Sequence, residues 1–227
     1  MKNTLLCLVS VLLFIACKDQ TANTALEGTR AQADTLSTAQ LIAQNHGIAN
    51  WDAVTELAFT FNVDRDTNHF ERSWIWLPKQ NRVTQITDKD TVTYTRSKVD
   101  STLSRTDAAF INDSYWLLAP FKLVWDEGTE FSEEMAVVAP ISKDTLNRLT
   151  ISYVGDGGYT PGDAYDFFYD DTHTIREWVF RKGNDSIPSM VTTWEDYQEK
   201  DGLKLSTVHT DSLGKFKLYF TGISVKN

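Results

Sequence analysis

Cysteine is almost absent from this sequence of 227 residues, which holds only Cys7 and Cys17. Both lie within the first 20 residues, so the rest of the chain has no thiol at all. This absence excludes disulfide bonds, thiolate metal sites and cysteine nucleophiles from any domain that follows.

Clusters of basic residues are lacking as well. The chain has 22 lysines and arginines against 31 acidic residues, a net charge of −9. Removing residues 1–16, which include the basic Lys2, leaves 21 against 31, or −10. Such a chain repels phosphate backbones, and no basic run offsets this locally, so we expect no nucleic-acid partner.

The sequence also lacks the motifs that carry catalysis. There is no G-x-S-x-G elbow for a serine nucleophile. Adjacent carboxylates such as Glu195 and Asp196 point to opposite faces of a strand and do not converge on one substrate atom. The histidines are scattered, without the paired spacing of a zinc site: His46, His69, His173 and His209. We therefore expect no enzyme, no cofactor and no metal.

A glycine-rich stretch at residues 153–171, "YVGDGGYTPGDAYDFFYDD", suggests a ligand loop at first sight. It has no lysine for a phosphate loop and no closing glutamate for a calcium loop of the helix–loop–helix type. Glycine, proline and aspartate are ordinary turn residues, so we predict a turn followed by a strand. A weak surface calcium site is the alternative.

The first residues, "MKNTLLCLVSVLLFIAC", combine a basic start with an apolar run that is too short to span a membrane. The ending "FIAC" resembles a bacterial lipoprotein signal. That resemblance implies a signal peptide at 1–16 and a lipidated Cys17 as the first mature residue. An ordinary signal peptide cleaved elsewhere is the alternative.

Residues 17–37 are polar and small, which is typical of a flexible tether. The "KD" after Cys17 resembles the export tags of surface lipoproteins of Bacteroidota. We expect an outer membrane lipoprotein of the cell envelope, anchored through Cys17. The periplasmic side is favoured, and exposure at the cell surface is the alternative.

The remaining residues, 38–227, suit one mainly β domain of the α+β class. The stretch "STAQLIAQNHGIANW" predicts an N-terminal helix with Ser37 or Thr38 as its cap. Alternating patterns such as "TELAFTFNV" predict about eleven strands in an antiparallel sheet that curls into a sandwich or barrel. The apolar segment "TDAAFINDSYWLLAPFKLVWDEG" predicts short helical turns that plug the sheet.

Three segments, "SYWLLAPFKL", "GGYTPGDAYDFFYDD" and "TTWEDY", follow the N-terminal helix in that order. In this layout the chain resembles the lipoprotein-carrier-like superfamily, which includes the LolA and LolB carriers. The resemblance implies a strongly curved, antiparallel open β-barrel with helices in its mouth. It also implies a hollow that shelters acyl chains.

Aromatic residues are abundant, with 7 tryptophans, 8 tyrosines and 12 phenylalanines. One curved sheet cannot pack against itself, so its uncovered apolar face becomes a ligand pocket. The predicted lining consists of Phe59, Phe61, Trp74, Trp76, Phe167, Trp178 and Phe180. The predicted lid consists of Trp116, Leu117, Leu118 and Phe121. The expected ligand is a lipid, a lipoprotein acyl chain or another amphiphile, bound without reaction.

Two other functions remain open at this stage. The aromatic residues could stack on sugars, which requires Trp74, Trp76 or Trp194 on the convex, solvent side of the sheet. Alternatively, the groove is filled by its own side chains, and the surface binds an unidentified envelope protein.

Overall fold

The structure is a computed structural model that describes residues 36–155 and 160–227. The predicted signal peptide, the lipidation site Cys17 and nearly all of the predicted tether lie outside the described residues. Leu36–Asn227 forms one compact unit. Every contact described below is made inside this unit, so a chain from residue 18 onward keeps the whole structured domain and its core.

The N-terminal helix α1 spans Thr38–Asn45, as the sequence predicts. Ser37 is its N-cap. The Ser37 hydroxyl accepts a hydrogen bond from the Gln40 amide, and the Gln40 side chain accepts one from the Ser37 amide. This reciprocal capping box satisfies two amides that a helix start leaves without partners.

The apolar segment forms one long helix, α2, over Ser104–Trp125, and the prediction of short helical turns is wrong. Pro120 lies inside this helix, where it removes one backbone hydrogen bond. The backbone departs from helical geometry at Leu118, two residues earlier. Continuous burial from Asp113 to Phe121 offsets this cost, because most of the stability of a helix in a protein comes from tertiary packing.

Seven strands form the first sheet, in the order β10-β11-β12-β1-β2-β3-β4, with antiparallel pairing throughout. Their bounds are β1 Glu56–Arg65, β2 Asn68–Leu77, β3 Arg82–Ile86, β4 Thr91–Thr95, β10 Glu195–Lys200, β11 Leu203–Thr210 and β12 Phe216–Lys226.

Five strands form the second sheet, which is antiparallel in the order β5-β6-β7-β8-β9. Their bounds are β5 Thr129–Val138, β6 Thr145–Tyr153, β7 Ala164–Tyr169, β8 Ile175–Arg181 and β9 Met190–Thr193.

The domain is therefore mainly antiparallel β, as predicted, but it has twelve described strands in two sheets instead of about eleven in one. The additional strand arises in "SMVTTWEDYQ", which the sequence pattern predicts as one strand. The chain leaves the second sheet at Trp194, whose amide bonds to Arg176 O at 2.7 Å, and enters the first sheet. Asp196 adopts a φ of 51° just inside β10.

Helix α2 lies between the two sheets. Phe110 contacts Trp74 of β2 with ring centroids 5.4 Å apart, and Trp116 contacts Trp178 of β8 at 4.3 Å. Leu57 and Phe59 of β1 join the same core, as their alternation predicts. The core is thus shared by both sheets and α2.

Within residues 36–155 and 160–227, no helix combines the length and the apolar character that crossing a membrane requires.

Candidate functional site

Most of the aromatic side chains predicted to line a pocket lie in the core. Five are buried: Phe59, Phe61, Trp74, Phe167 and Trp178. Trp76 and Phe180 are half-buried. Their inward orientation follows from strand alternation, and α2 fills much of the space that a single curved sheet would have left open.

The four predicted lid residues all belong to α2, and all are buried. Trp116, Leu117, Leu118 and Phe121 lie within the core. Because consecutive residues of a helix point in different directions, these four contact different parts of the core. The segment predicted as a lid therefore packs inside the domain, between the sheets.

One of the pockets beside α2 is mainly apolar. It has a volume of about 330 Å³ and is called the apolar pocket below. Its lining residues come from β1, α2, β7 to β9 and β12, and from the turn before β7: Phe61, Val63, Arg65, Asn112, Tyr115, Trp116, Thr160, Tyr165, Trp178, Phe180, Met190, Phe216 and Leu218. It brings together Phe61, Trp116, Trp178 and Phe180 from the predicted set.

The walls of the apolar pocket are built from aromatic contacts across the second sheet. Tyr165 of β7 stacks on Phe180 of β8 with centroids 5.0 Å apart, and it contacts Trp178 at 5.2 Å. The Tyr115 hydroxyl lies 3.1 Å from that of Tyr153, within hydrogen-bonding distance. Burial raises the pKa of Tyr165 to about 12, so its hydroxyl stays protonated at neutral pH.

A second pocket of about 390 Å³ borders a different face of α2 and is more polar. It is lined by Trp76, Arg96, Phe110, Ile111, Ser114, Leu118, Lys122, Trp125, Asp126 and Glu127. Trp76 and Leu118 of the predicted set therefore lie apart from the apolar pocket. The charged groups at its rim make it less suited to an apolar ligand.

A buried ion pair that the sequence reasoning missed fixes α2 to the first sheet. The Asp113 carboxylate of α2 has no exposed surface. It accepts hydrogen bonds from Arg72 Nη2 at 2.6 Å and from Trp74 Nε1 at 2.8 Å. Burial raises the pKa of Asp113, and the Arg72 guanidinium opposes that rise. A lone carboxylate inside the apolar run "AFINDSYWLL" was the available signal.

Two histidines are buried and neutral. Burial lowers the pKa of His46 to about 4 and that of His209 to about 3. His209 lies among rings, at 4.6 Å from Trp194 and 5.3 Å from Trp116. Within the part of the chain that the structure describes, no three His, Cys, Asp or Glu side chains gather closely enough to hold a metal ion.

The glycine-rich stretch forms a turn and a strand in its described part. Gly162 has a φ of 87°, and the Asp163 amide bonds to Thr160 O at 3.0 Å before β7 begins. Asp166 accepts hydrogen bonds from Thr150 and Arg181, so its carboxylate is already paired. Residues 156–159 lie outside the described residues.

The tryptophans that a sugar-binding surface would need are not on the convex side. Trp74 and Trp194 are buried, and Trp76 borders the second pocket. Stacking of sugars on these three rings is therefore not supported by their positions.

No protein-family model matches the sequence, and no curated protein matches it in sequence. Solved structures do resemble the fold. An outer membrane lipoprotein-sorting protein domain from Vibrio parahaemolyticus superimposes with a TM-score of 0.50 at 10% identity, over 84% of this chain and 94% of that one. This chain has a lipoprotein-carrier-like fold.

Two further structures resemble the lipoprotein-carrier-like fold of this chain more loosely. A LolA-superfamily protein from Nitrosomonas europaea has 10% identity and a TM-score of 0.49, over 85% of this chain and 95% of that one. A DUF1329-family protein from Desulfovibrio piger has 9% identity and a TM-score of 0.46, over 83% and 92%. These two likenesses carry no argument about the pocket, which rests on this chain's own contacts.

Proposed function

We propose that this chain is an envelope-anchored lipoprotein that binds a lipid or another amphipathic ligand in the apolar pocket, without catalysing a reaction. The observation that carries the proposal is the apolar pocket itself. It is an aromatic hollow between α2 and strands of both sheets, in a lipoprotein-carrier-like fold.

The size of the pocket limits the ligand. A volume of about 330 Å³ lies near the lower end of the roughly 300–1,000 Å³ typical of small-molecule sites. Each methylene buried there contributes about 0.8 kcal/mol. One acyl chain is therefore a better match than the several chains of a complete lipoprotein anchor.

The predicted lipid anchor at Cys17 supports a position at a membrane. The signal-like sequence that ends at Cys17, followed by a polar tether, would hold the domain near lipid. The Vibrio domain of the same fold is an outer membrane lipoprotein-sorting protein domain by name. Both observations favour the cell envelope, with the periplasmic side preferred.

Native mass spectrometry tests the proposal. The chain from residue 18 would be placed behind a cleavable signal peptide that lacks a lipidation cysteine, exported in its own host and purified without detergent. We expect a co-purified lipid at a ratio near one to one. Phe180→Asp places a charge in the half-buried wall of the pocket and should remove the lipid. Ile187→Asp is the matched control, since Ile187 is 73% exposed and does not line the pocket.

A lipid-free mass for the unaltered chain, together with no uptake of added fatty acids or hydrophobic dyes, would contradict the proposal. Equal lipid content in both variants would place the lipid elsewhere on the protein.

A second candidate is binding of an envelope protein through β5, which lies at one edge of the second sheet. Phe131, Met135 and Val138 of this strand are all exposed. Exposed edges accept a further strand from a partner, although Glu133 and Glu134 discourage unselective pairing. Cross-linking from position 135 in intact cells would test this candidate, and a Val138→Lys change in the same chain should abolish the cross-linked product.

A further inference from the structure

One cation lies at the mouth of the apolar pocket. Phe61, Val63 and Arg65 occupy alternate positions of β1, so their side chains share one face of the strand and line the same pocket. The first is buried, the second half-buried and the third exposed. These three side chains therefore lead from the apolar interior of the pocket to its charged rim. Among the described residues that line the pocket, Arg65 alone carries a charge at neutral pH.

No carboxylate of the described residues forms an ion pair with this arginine. Its neighbours in the chain are Asp64 and Asp66, and neither pairs with it. Asp64 pairs instead with His69, at 2.6 Å. The Arg65 guanidinium lies 5.5 Å from the ring centre of Phe216, which faces it on β12 and lines the same pocket. This contact holds the cation over the pocket and leaves its N–H donors available.

Most other described arginines are used differently. Five pair with carboxylates: Arg72 with Asp113, Arg96 with Asp107, Arg148 with Glu134, Arg176 with Asp170 and Arg181 with Asp166. In a chain with a net charge of −9, an arginine without such a partner beside an apolar hollow is a notable feature. Asn112 and Thr160 add further polar groups to the lining.

We infer that the apolar pocket takes a single-chain amphiphile with an anionic head, either a carboxylate or a phosphate, and that Arg65 binds this head. The inference rests on the proposed function and adds the ligand class to it. The tail lies among the aromatic walls, where apolar burial supplies most of the affinity. The head remains at the rim, where a guanidinium can donate two parallel hydrogen bonds to its oxygens.

Four ligands that share one tail length and differ in the head group separate the contribution of the tail to affinity from that of the head. Dodecanoate, dodecyl phosphate, dodecanol and dodecyltrimethylammonium would be titrated below micelle-forming concentrations into the chain from residue 18. Intrinsic tryptophan fluorescence reports binding, because Trp116 and Trp178 line the pocket. We expect the two anions to bind about tenfold more tightly than dodecanol, and the cation to bind most weakly.

Three variants then assign the effect to Arg65. Arg65→Gln should weaken the binding of both anions about tenfold and leave the affinity for dodecanol unchanged. Arg65→Glu should reverse the order, so that the cation binds more tightly than the anions. Arg82→Gln makes the same change of charge at an exposed arginine outside both pockets and should have no effect. Unchanged circular dichroism and unfolding midpoints would show that the variants are folded.

Equal affinity for all four heads, or an Arg65→Gln variant that binds dodecanoate as the unaltered chain does, would overturn the inference. Dodecanol would still bind in that case, and the proposed function would stand. Failure of all four ligands to bind the unaltered chain would overturn the inference and the proposed function together.

Discussion

Arg72 of β2 and Asp113 of α2 form a two-point ion pair, with Nη2 and Oδ1 2.6 Å apart, that joins the central helix to the first sheet. Asp113→Ala would leave the partly buried Arg72 without its counter-charge. We expect the free energy of unfolding to fall by about 3–5 kcal/mol, the usual effect of breaking a buried pair from one side. Chemical denaturation at neutral pH measures the change.

The double variant Arg72→Met, Asp113→Leu is the matched control, because it removes both charges and keeps similar volume. It should recover most of the lost stability, as apolar replacement of a buried pair is often neutral. A single variant as stable as the unaltered protein would show that the pair does not hold α2 in place.

The buried histidines should make the protein sensitive to mild acid. The pKa of His46 is lowered to about 4 and that of His209 to about 3, whereas an unfolded chain has histidine pKa values of about 6.5. Below that value the unfolded chain takes up protons that the folded chain cannot. The free energy of unfolding should therefore fall by roughly 2 kcal/mol per histidine between pH 6.5 and pH 5.

Denaturant midpoints measured across this pH range test the expectation. His209→Phe should flatten the dependence, since it removes one of the two groups and keeps an aromatic ring among Trp116 and Trp194. Asp64 and Glu71 raise the pKa of the exposed His69. This histidine therefore contributes stability as the pH falls, opposite to the two buried histidines. An acid dependence that is identical with and without His209 would contradict its assigned role.

Gly47 is expected to tolerate no side chain. Its φ is 88°, and a β-carbon there would lie 2.0 Å from Gly202 O. Gly47→Ala combines backbone strain of roughly 1–2 kcal/mol with a clash that typically costs about 1–3 kcal/mol more. Gly183→Ala is the control, because its φ is 62° and nothing lies within 4 Å. Thermal unfolding should show a clearly larger loss at Gly47, and equal losses would mean that the loop yields easily.

Lipidation at Cys17 is tested by metabolic labelling with an alkyne analogue of palmitate. The unaltered chain should incorporate the label and sediment with membranes, because a cysteine that carries several acyl chains is a stable anchor. Cys17→Ser should lose the label, whereas Cys7→Ser, inside the predicted signal peptide, should retain it. Label in the Cys17→Ser chain would place the modification elsewhere.

Local patterns in the sequence were enough to predict much of the fold. Alternation placed Phe59 and Phe61 on the inner face of β1, and the cap at Ser37 marked the start of α1. Both signals depend on near neighbours in the chain. The division of "SMVTTWEDYQ" between two sheets depends on what each half pairs with, which no local pattern encodes.

The functional site was predictable only in part, for the same reason. Pro120 favours short helical turns, but packing against both sheets stabilises one long helix that is interrupted only at Leu118. Aromatic content predicted a hollow, yet it could not show which rings would remain beside open space once α2 was in place. Arg65 carried no signal in the sequence, since its role depends on its distance from Phe216 and on the absence of a nearby carboxylate among the described residues.

The position of α2 between the sheets sets a limit on tail length. Trp116 of the helix and Trp178 of β8 both line the apolar pocket, and their ring centroids are 4.3 Å apart. Because these rings belong to the packed core, a hydrocarbon tail has only the pocket volume of about 330 Å³ to fill. Once a tail fills this volume, each further methylene remains in water and adds no affinity. Binding strength should therefore rise with tail length and then level off.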